Sequence, residues 1–168
     1  MAKTVYLCGF MGCGKTTVGN VLAEKLQLGY CDMDAYIEET LGMTIPEIFE
    51  EKGEEYFRQQ ETLAVKALGE RGGVIACGGG AMLRTENAEA AQSYGRVVFI
   101  DVPYEVCWGR IKDDPGRPIV TRTTKESLKV IYDDRSPVYR AHSTDSACGT
   151  GSPEEIAESI AALMAASS

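Results

Sequence analysis

A chain of 168 residues is about one domain's worth of polypeptide, which excludes a multi-domain machine. Its 44% apolar and 25% charged residues belong to an ordinary globular protein and exclude disordered, collagenous and membrane-spanning classes. With 25 acidic against 17 basic side chains the net charge is -8, which repels phosphodiester backbones, so nucleic acid is not expected as a partner.

In chain order, Thr4 to Cys8 is a short apolar run that reads as a strand, and Val18, Val21, Leu22 and Leu26 recur at helical spacing over 15–27. Further strands are expected at Tyr30 to Met33, Val74 to Cys77 and Val97 to Val102, with a weaker fifth at Thr144 to Cys148. Helices are expected over 35–41, 54–69, 86–93, 104–113, 125–136 and 153–166, the last with Pro153 in its first turn after Ser152. Alternating strands and helices predict an α/β sandwich, a parallel sheet with helices on both faces. Residues 34–61, acidic and helical, and 113–124, polar with two prolines and a glycine, read as insertions, the second as a mobile loop. The apolar stretch Ile156 to Ala166 is shorter than the roughly 20 residues that span a bilayer, so it is expected to pack as a helix. The six cysteines are scattered singly, without a CxxC pair or a His/Cys cluster, which suggests reduced thiols in the cytoplasm. Nothing at the start of the chain reads as an export signal, and His142 reads as surface or structural.

Gly9-Phe10-Met11-Gly12-Cys13-Gly14-Lys15-Thr16 matches G-x-x-x-x-G-K-[ST] in full, between an expected strand and an expected helix. In such a P-loop, glycines aim successive backbone N–H groups into one concavity, Lys15 reaches the β/γ-phosphates and Thr16 can ligate Mg²⁺. A nucleoside triphosphate is implied.

Asp32 and Asp34 lie two apart at the end of an expected strand, so their carboxylates should share a face. One can hold a metal's water shell while the other orients or deprotonates an acceptor hydroxyl; alternatively Asp34 only caps the helix that begins at Ala35. Arg58 stands four residues after Glu54 and three before Glu61, which is also the spacing of an exposed ion-pair ladder. Arg135 shares a helix face with Leu128, Ile131 and Tyr132, and an inward arginine calls for an anion, a ligand or a buried carboxylate. Gly78-Gly79-Gly80 follows the third strand at the carboxyl end of the sheet, either as a plain turn or as backbone that approaches a ligand closely.

The chain resembles the shikimate kinases, a branch of the nucleoside monophosphate kinase-like P-loop fold, from Thr4 to about Pro153. The resemblance rests on the P-loop, Asp32-Met33-Asp34-Ala35-Tyr36-Ile37-Glu38, Gly53-Glu54-Glu55-Tyr56-Phe57-Arg58 with Glu61, Gly78-Gly79-Gly80, Arg117-Pro118, and Arg135-Ser136-Pro137-Val138-Tyr139. It implies a three-layer P-loop NTPase sandwich in a single domain, 1–168, with a five-stranded parallel sheet in order 2-3-1-4-5. It also implies an acceptor-binding insertion around 33–61 and a lid around 112–124. The implied reaction is ATP- and Mg²⁺-dependent transfer of the γ-phosphoryl group to the 3-hydroxyl of shikimate, within aromatic amino-acid biosynthesis. The motifs would make Lys15, Asp34 and Arg117 catalytic. Asp34, Arg58, Gly79, Gly80 and Arg135 would bind shikimate, the two arginines through its carboxylate. ATP would be held by Gly12, Cys13, Gly14, Lys15, Thr16, Thr17, Arg110, Arg117 and Pro153, and Mg²⁺ by Thr16 and Asp32. A monomeric, cytoplasmic enzyme without membrane or nucleic-acid partners is expected. Residues 141–144, Ala-His-Ser-Thr, depart from the family's usual pattern. Same-fold kinases of gluconate or a nucleoside monophosphate, and a non-catalytic nucleotide-binding module, are the alternatives.

Overall fold

The computed structural model describes residues 4–112 and 124–166. The segment from 113 to 123, which carries Arg117 and most of the expected lid, lies outside the described residues. In chain order the elements are β1 (Thr4–Cys8), α1 (Lys15–Leu26), β2 (Tyr30–Asp32), α2 (Met33–Leu41), α3 (Ile45–Lys52), α4 (Glu54–Arg71), β3 (Gly73–Ala76), a 3-10 turn (Ala81–Leu83), α5 (Thr85–Tyr94), β4 (Arg96–Asp101), α6 (Tyr104–Ile111), α7 (Lys125–His142), β5 (Asp145–Cys148) and α8 (Pro153–Ala166). The five strands are all parallel, in the order β2-β3-β1-β4-β5, as the resemblance implied.

The alternation of β1 shows why both faces carry helices. Val5 and Leu7 point into one apolar cluster with Val18 and Leu22 of α1, Cys107 and Ile111 of α6, and Ile156 and Ile160 of α8. Tyr6 and Cys8 point into the other, with Val65 and Leu68 of α4 and Ala88 and Ala91 of α5. A strand buried on both sides is the normal state of a parallel sheet. Two side chains fasten β1 to α4: Thr4 Oγ1 donates to Gly69 O at 2.9 Å and the Tyr6 hydroxyl to Val65 O at 2.7 Å.

Three elements differ from the sequence-based expectation. The acidic stretch after Asp34 holds a separate helix, α3, started by a capping box in which the Thr44 hydroxyl accepts from Glu47 N–H and the Glu47 carboxylate from Thr44 N–H. Helix α7 does not stop at Ser136 but runs through Pro137 to His142. Proline removes only one helical hydrogen bond, and burial of Tyr139 beyond it holds the last turns in place. Helix α2 begins at Met33 rather than Ala35, because the Asp32 carboxylate caps it by accepting from Ala35 N–H at 3.0 Å. The unusual 141–144 stretch ends α7, where His142 Nδ1 lies 2.8 Å from Met82 O, a structural tie. The weakly expected fifth strand is present as β5.

Candidate active site

The carboxyl ends of β1, β2 and β3 open into a cleft of about 530 Å³. Its floor is the P-loop. Gly12 and Gly14, at φ of 79° and 96°, take left-handed conformations that let the backbone turn sharply into α1, with Gly14 as the N-cap. A Cβ on Gly12 would also meet Ile111 Cγ2 at 2.8 Å and Cys107 O at 2.9 Å, so α6 packs directly against the loop. Lys15 stands in the first turn of α1, and its ammonium donates to Gly9 O at 2.7 Å. Thr16 and Thr17 follow it on the cleft wall. Arg110, from α6, also lines the cleft and donates to Gly12 O at 2.8 Å.

Opposite the P-loop lie the two aspartates. Both line the cleft, but not from one strand as the spacing suggested: Asp32 ends β2 and Asp34 is in the first turn of α2. The capping role falls to Asp32, not Asp34, whose Oδ1 is buried without a hydrogen-bond partner among the described residues. Burial, with Asp32 and Glu61 nearby, pushes Asp34 up to about 6 against the opposing Lys15 charge.

The glycine triplet has a steric explanation in the protein itself. A Cβ on Gly78 would collide with Asp34 Oδ1 at 2.5 Å, one on Gly79 would touch Arg135 Nη1 at 3.5 Å, and one on Gly80 would run into the Arg58 guanidinium. The turn is therefore the surface on which three of the expected substrate-binding side chains rest. Gly78, Gly79 and Arg135 line the cleft, whereas Gly80 and Arg58 sit immediately behind that wall.

The two arginines differ in their pairing. Arg58 donates to Glu61 at 2.7 Å and to Glu54 at 3.2 Å, but this is not an exposed ladder, because Glu61 is 1% exposed. Arg135 is half-buried, and no carboxylate of the described residues pairs with it. Behind the cleft wall, then, Arg58 is paired with two carboxylates, while on it Arg135 is paired with none among the described residues. Pro153 opens α8 and does not line the cleft, whereas Met11, a variable position of the P-loop, and Cys77 and Ile111, which lie in no motif, do.

The sequence model of the family described as Shikimate kinase matches residues 11–165. The chain belongs to the shikimate kinase family. It is 39% identical to the shikimate kinase of Sulfurihydrogenibium sp. (strain YO3AOP1), over 94% of this chain and 95% of that one. It is 38% identical to that of Aquifex aeolicus (strain VF5), over 93% and 92%. Among solved structures, the shikimate kinase from Acinetobacter baumannii in complex with shikimate superposes with a TM-score of 0.88 at 35% identity, covering 99% of this chain and 95% of that one. A gluconokinase from Sinorhizobium meliloti, at 19% identity and a TM-score of 0.61, shares the fold alone.

Proposed function

We propose that this shikimate kinase family member transfers the γ-phosphoryl group of ATP to the 3-hydroxyl of shikimate, giving shikimate 3-phosphate and ADP. The observation that carries the reading is the meeting, in one cleft, of a complete P-loop, the Asp34 carboxyl and an Arg135 guanidinium that pairs with no carboxylate of the described residues. A small polyol carboxylate needs the last two together: an acceptor of its hydroxyl proton and a partner for its charge.

In this reading the P-loop amides and Lys15 hold the β/γ-phosphates, with Arg110 beside the adenosine and Pro153 at its margin. Asp34 takes the proton of the 3-hydroxyl as that oxygen forms the new P–O bond and the bond from the γ-phosphorus to the β–γ bridging oxygen breaks. Arg135 and Arg58 hold the shikimate carboxylate, with Gly79 and Gly80 as backbone surface. Arg117 is assigned to the transferring phosphoryl group on its place in the motif alone.

The residues present fit Mg²⁺. Thr16 and Asp32 offer hard oxygen donors on one cleft, and the described residues hold no group of three or more His, Cys, Asp or Glu that would make a dedicated cage. An ion that keeps several waters and shares phosphate oxygens suits that donor set. When bound, it would neutralise charge on the β/γ-phosphates. The same reading takes the enzyme as a monomer in the cytoplasm. Among the described residues, no helix is long and apolar enough to cross a membrane.

ADP release from Mg·ATP, measured with shikimate, gluconate and a nucleoside monophosphate as acceptors, tests the proposal. Turnover with shikimate at least about a hundredfold above the others is expected, since a guanidinium placed for the acceptor's carboxylate discriminates strongly for the matching acceptor. Equal or faster turnover with another acceptor would overturn it.

A further inference from the structure

The ring of Tyr139 is buried, 1% exposed, and stacks on Phe99 of β4 with centroids 5.8 Å apart. Its hydroxyl emerges at the other end of the ring and donates to Gly79 O at 2.5 Å, across sixty residues of sequence. Arg135, one helical turn earlier on α7, faces the same hydroxyl. The nearest atoms to a Cβ built on Gly79 are Arg135 Nη1 at 3.5 Å and Tyr139 Oη at 3.9 Å, so turn, guanidinium and phenol meet at one point. Tyr139 itself is not among the residues that line the cleft.

The chemistry of this junction is particular to tyrosine. A phenol has one O–H to donate and lone pairs that can still accept, so one group can hold a carbonyl and face a guanidinium at once. The carbonyl it holds is the middle one of three consecutive glycines, the most freely rotating stretch a chain can have. That turn is where Asp34, Arg135 and Arg58 abut Gly78, Gly79 and Gly80 in succession. Its anchorage runs through the ring to Phe99 and the central sheet. The continuation of α7 through Pro137 is what places Tyr139 on the Arg135 face.

We propose that Tyr139 is a positioning residue for the acceptor: its hydroxyl pins the Gly78–Gly80 turn and so sets the spacing of Asp34, Arg58 and Arg135. This rests on the assignment of shikimate as acceptor. Without the hydroxyl, the turn must be ordered at each binding event, and the cost falls on acceptor affinity rather than on nucleotide affinity.

Tyr139→Phe removes only the hydroxyl and keeps the ring on Phe99. In steady-state kinetics its KM for shikimate is expected to rise about tenfold while the KM for ATP stays within about twofold, the size expected for one buried hydrogen bond. In the ligand-free protein, amide hydrogen exchange across 78–84 is expected to speed up at least about threefold, with the strand amides of β1 and β4 unchanged. An unchanged KM for shikimate, an equal rise in both KM values, or unchanged exchange across 78–84 would each overturn the proposal. If the wild-type enzyme shows no shikimate-dependent turnover, the functional reading fails instead, and the exchange measurement still decides whether the hydroxyl pins the turn.

Discussion

Arg58 and Arg135 look alike as candidate carboxylate ligands, yet their surroundings predict different losses. Arg58 neutralises buried Glu61, so Arg58→Ala leaves a carboxyl in the core without its cation. Breaking such a pair costs about 3 kcal/mol or more, and thermal unfolding of Arg58→Ala should show a lowered Tm along with a raised KM for shikimate. Arg135→Ala uncovers no buried acid, so its Tm should stay near wild type while the KM for shikimate rises at least about tenfold and that for ATP does not. A large Tm loss in Arg135→Ala would show a structural rather than a ligand-binding cation. Lys15→Ala should fold normally and lose nearly all turnover, on the order of 10³-fold or more, since the point charge on the β/γ-phosphates is gone; turnover near the wild-type rate would contradict the P-loop role. Asp34 carries a stability signature as well. Its folded-state value, about 6, lies above the ordinary 3.8, so the free protein loses stability as pH rises through that interval, up to about 3 kcal/mol. In metal-free buffer, Asp34→Asn should therefore be more stable than wild type above pH 6, by a margin that fades towards pH 4, while kcat falls about 10²- to 10⁴-fold. A wild-type kcat, or no pH-dependent gain in Tm, would contradict this. The residues of the P-loop were legible because their chemistry is local in sequence. The burial of Glu61 was not, because i,i+3 and i,i+4 spacing looks the same on a solvated helix face as on one pressed against a glycine turn.

Among the elements, the strands read most directly, since short runs such as Val97 to Ile100 are apolar without alternation, as sheets covered on both faces require. Two of the three helices that differ from expectation, α3 and α7, do so for opposite reasons. Thr44-Ile45-Pro46-Glu47 carried a capping box in plain view, but its eight-residue helix is shorter than the windows in which periodicity is judged. Pro137 suggested a stop at Ser136, and the tertiary burial of Tyr139 outweighed the lost hydrogen bond. Helical glycines offer a test of how closely the layers pack. A Cβ on Gly69 of α4 would lie 2.5 Å from the Tyr94 ring and from the Tyr6 hydroxyl, whereas one on Gly109 of α6 would meet nothing of the described residues within 4 Å. Gly69→Ala should destabilise by about 1–3 kcal/mol, and Gly109→Ala should stabilise by about 0.5–1 kcal/mol. Chemical denaturation of the pair checks both signs, and a neutral Gly69→Ala would mean that α4 and α5 yield more easily than the packing implies.

For the molecule as a whole, the sheet order 2-3-1-4-5 places three strand ends, the P-loop, the Gly78-Gly79 turn and the start of α1 around one opening. Under the proposed function the P-loop would hold the nucleotide in one half of that opening, and β2, α2 and α7, backed by α4, would hold the acceptor in the other. Sequence reading reached both halves through motifs, but how they close on each other depends on contacts such as Asp34 on Gly78 that join residues over forty positions apart. The proposed reaction requires that a phosphoryl group cross from one half to the other and be captured by an alcohol. Phosphorus-31 NMR of the enzyme with Mg·ATP and shikimate follows that group directly. The γ-phosphate signal should be replaced one for one by a phosphomonoester whose coupling places it on the 3-position of shikimate, with ADP formed in equal amount and little inorganic phosphate. Loss of the γ-signal to inorganic phosphate alone, or no loss of it in the presence of shikimate, would rule out phosphoryl transfer to shikimate.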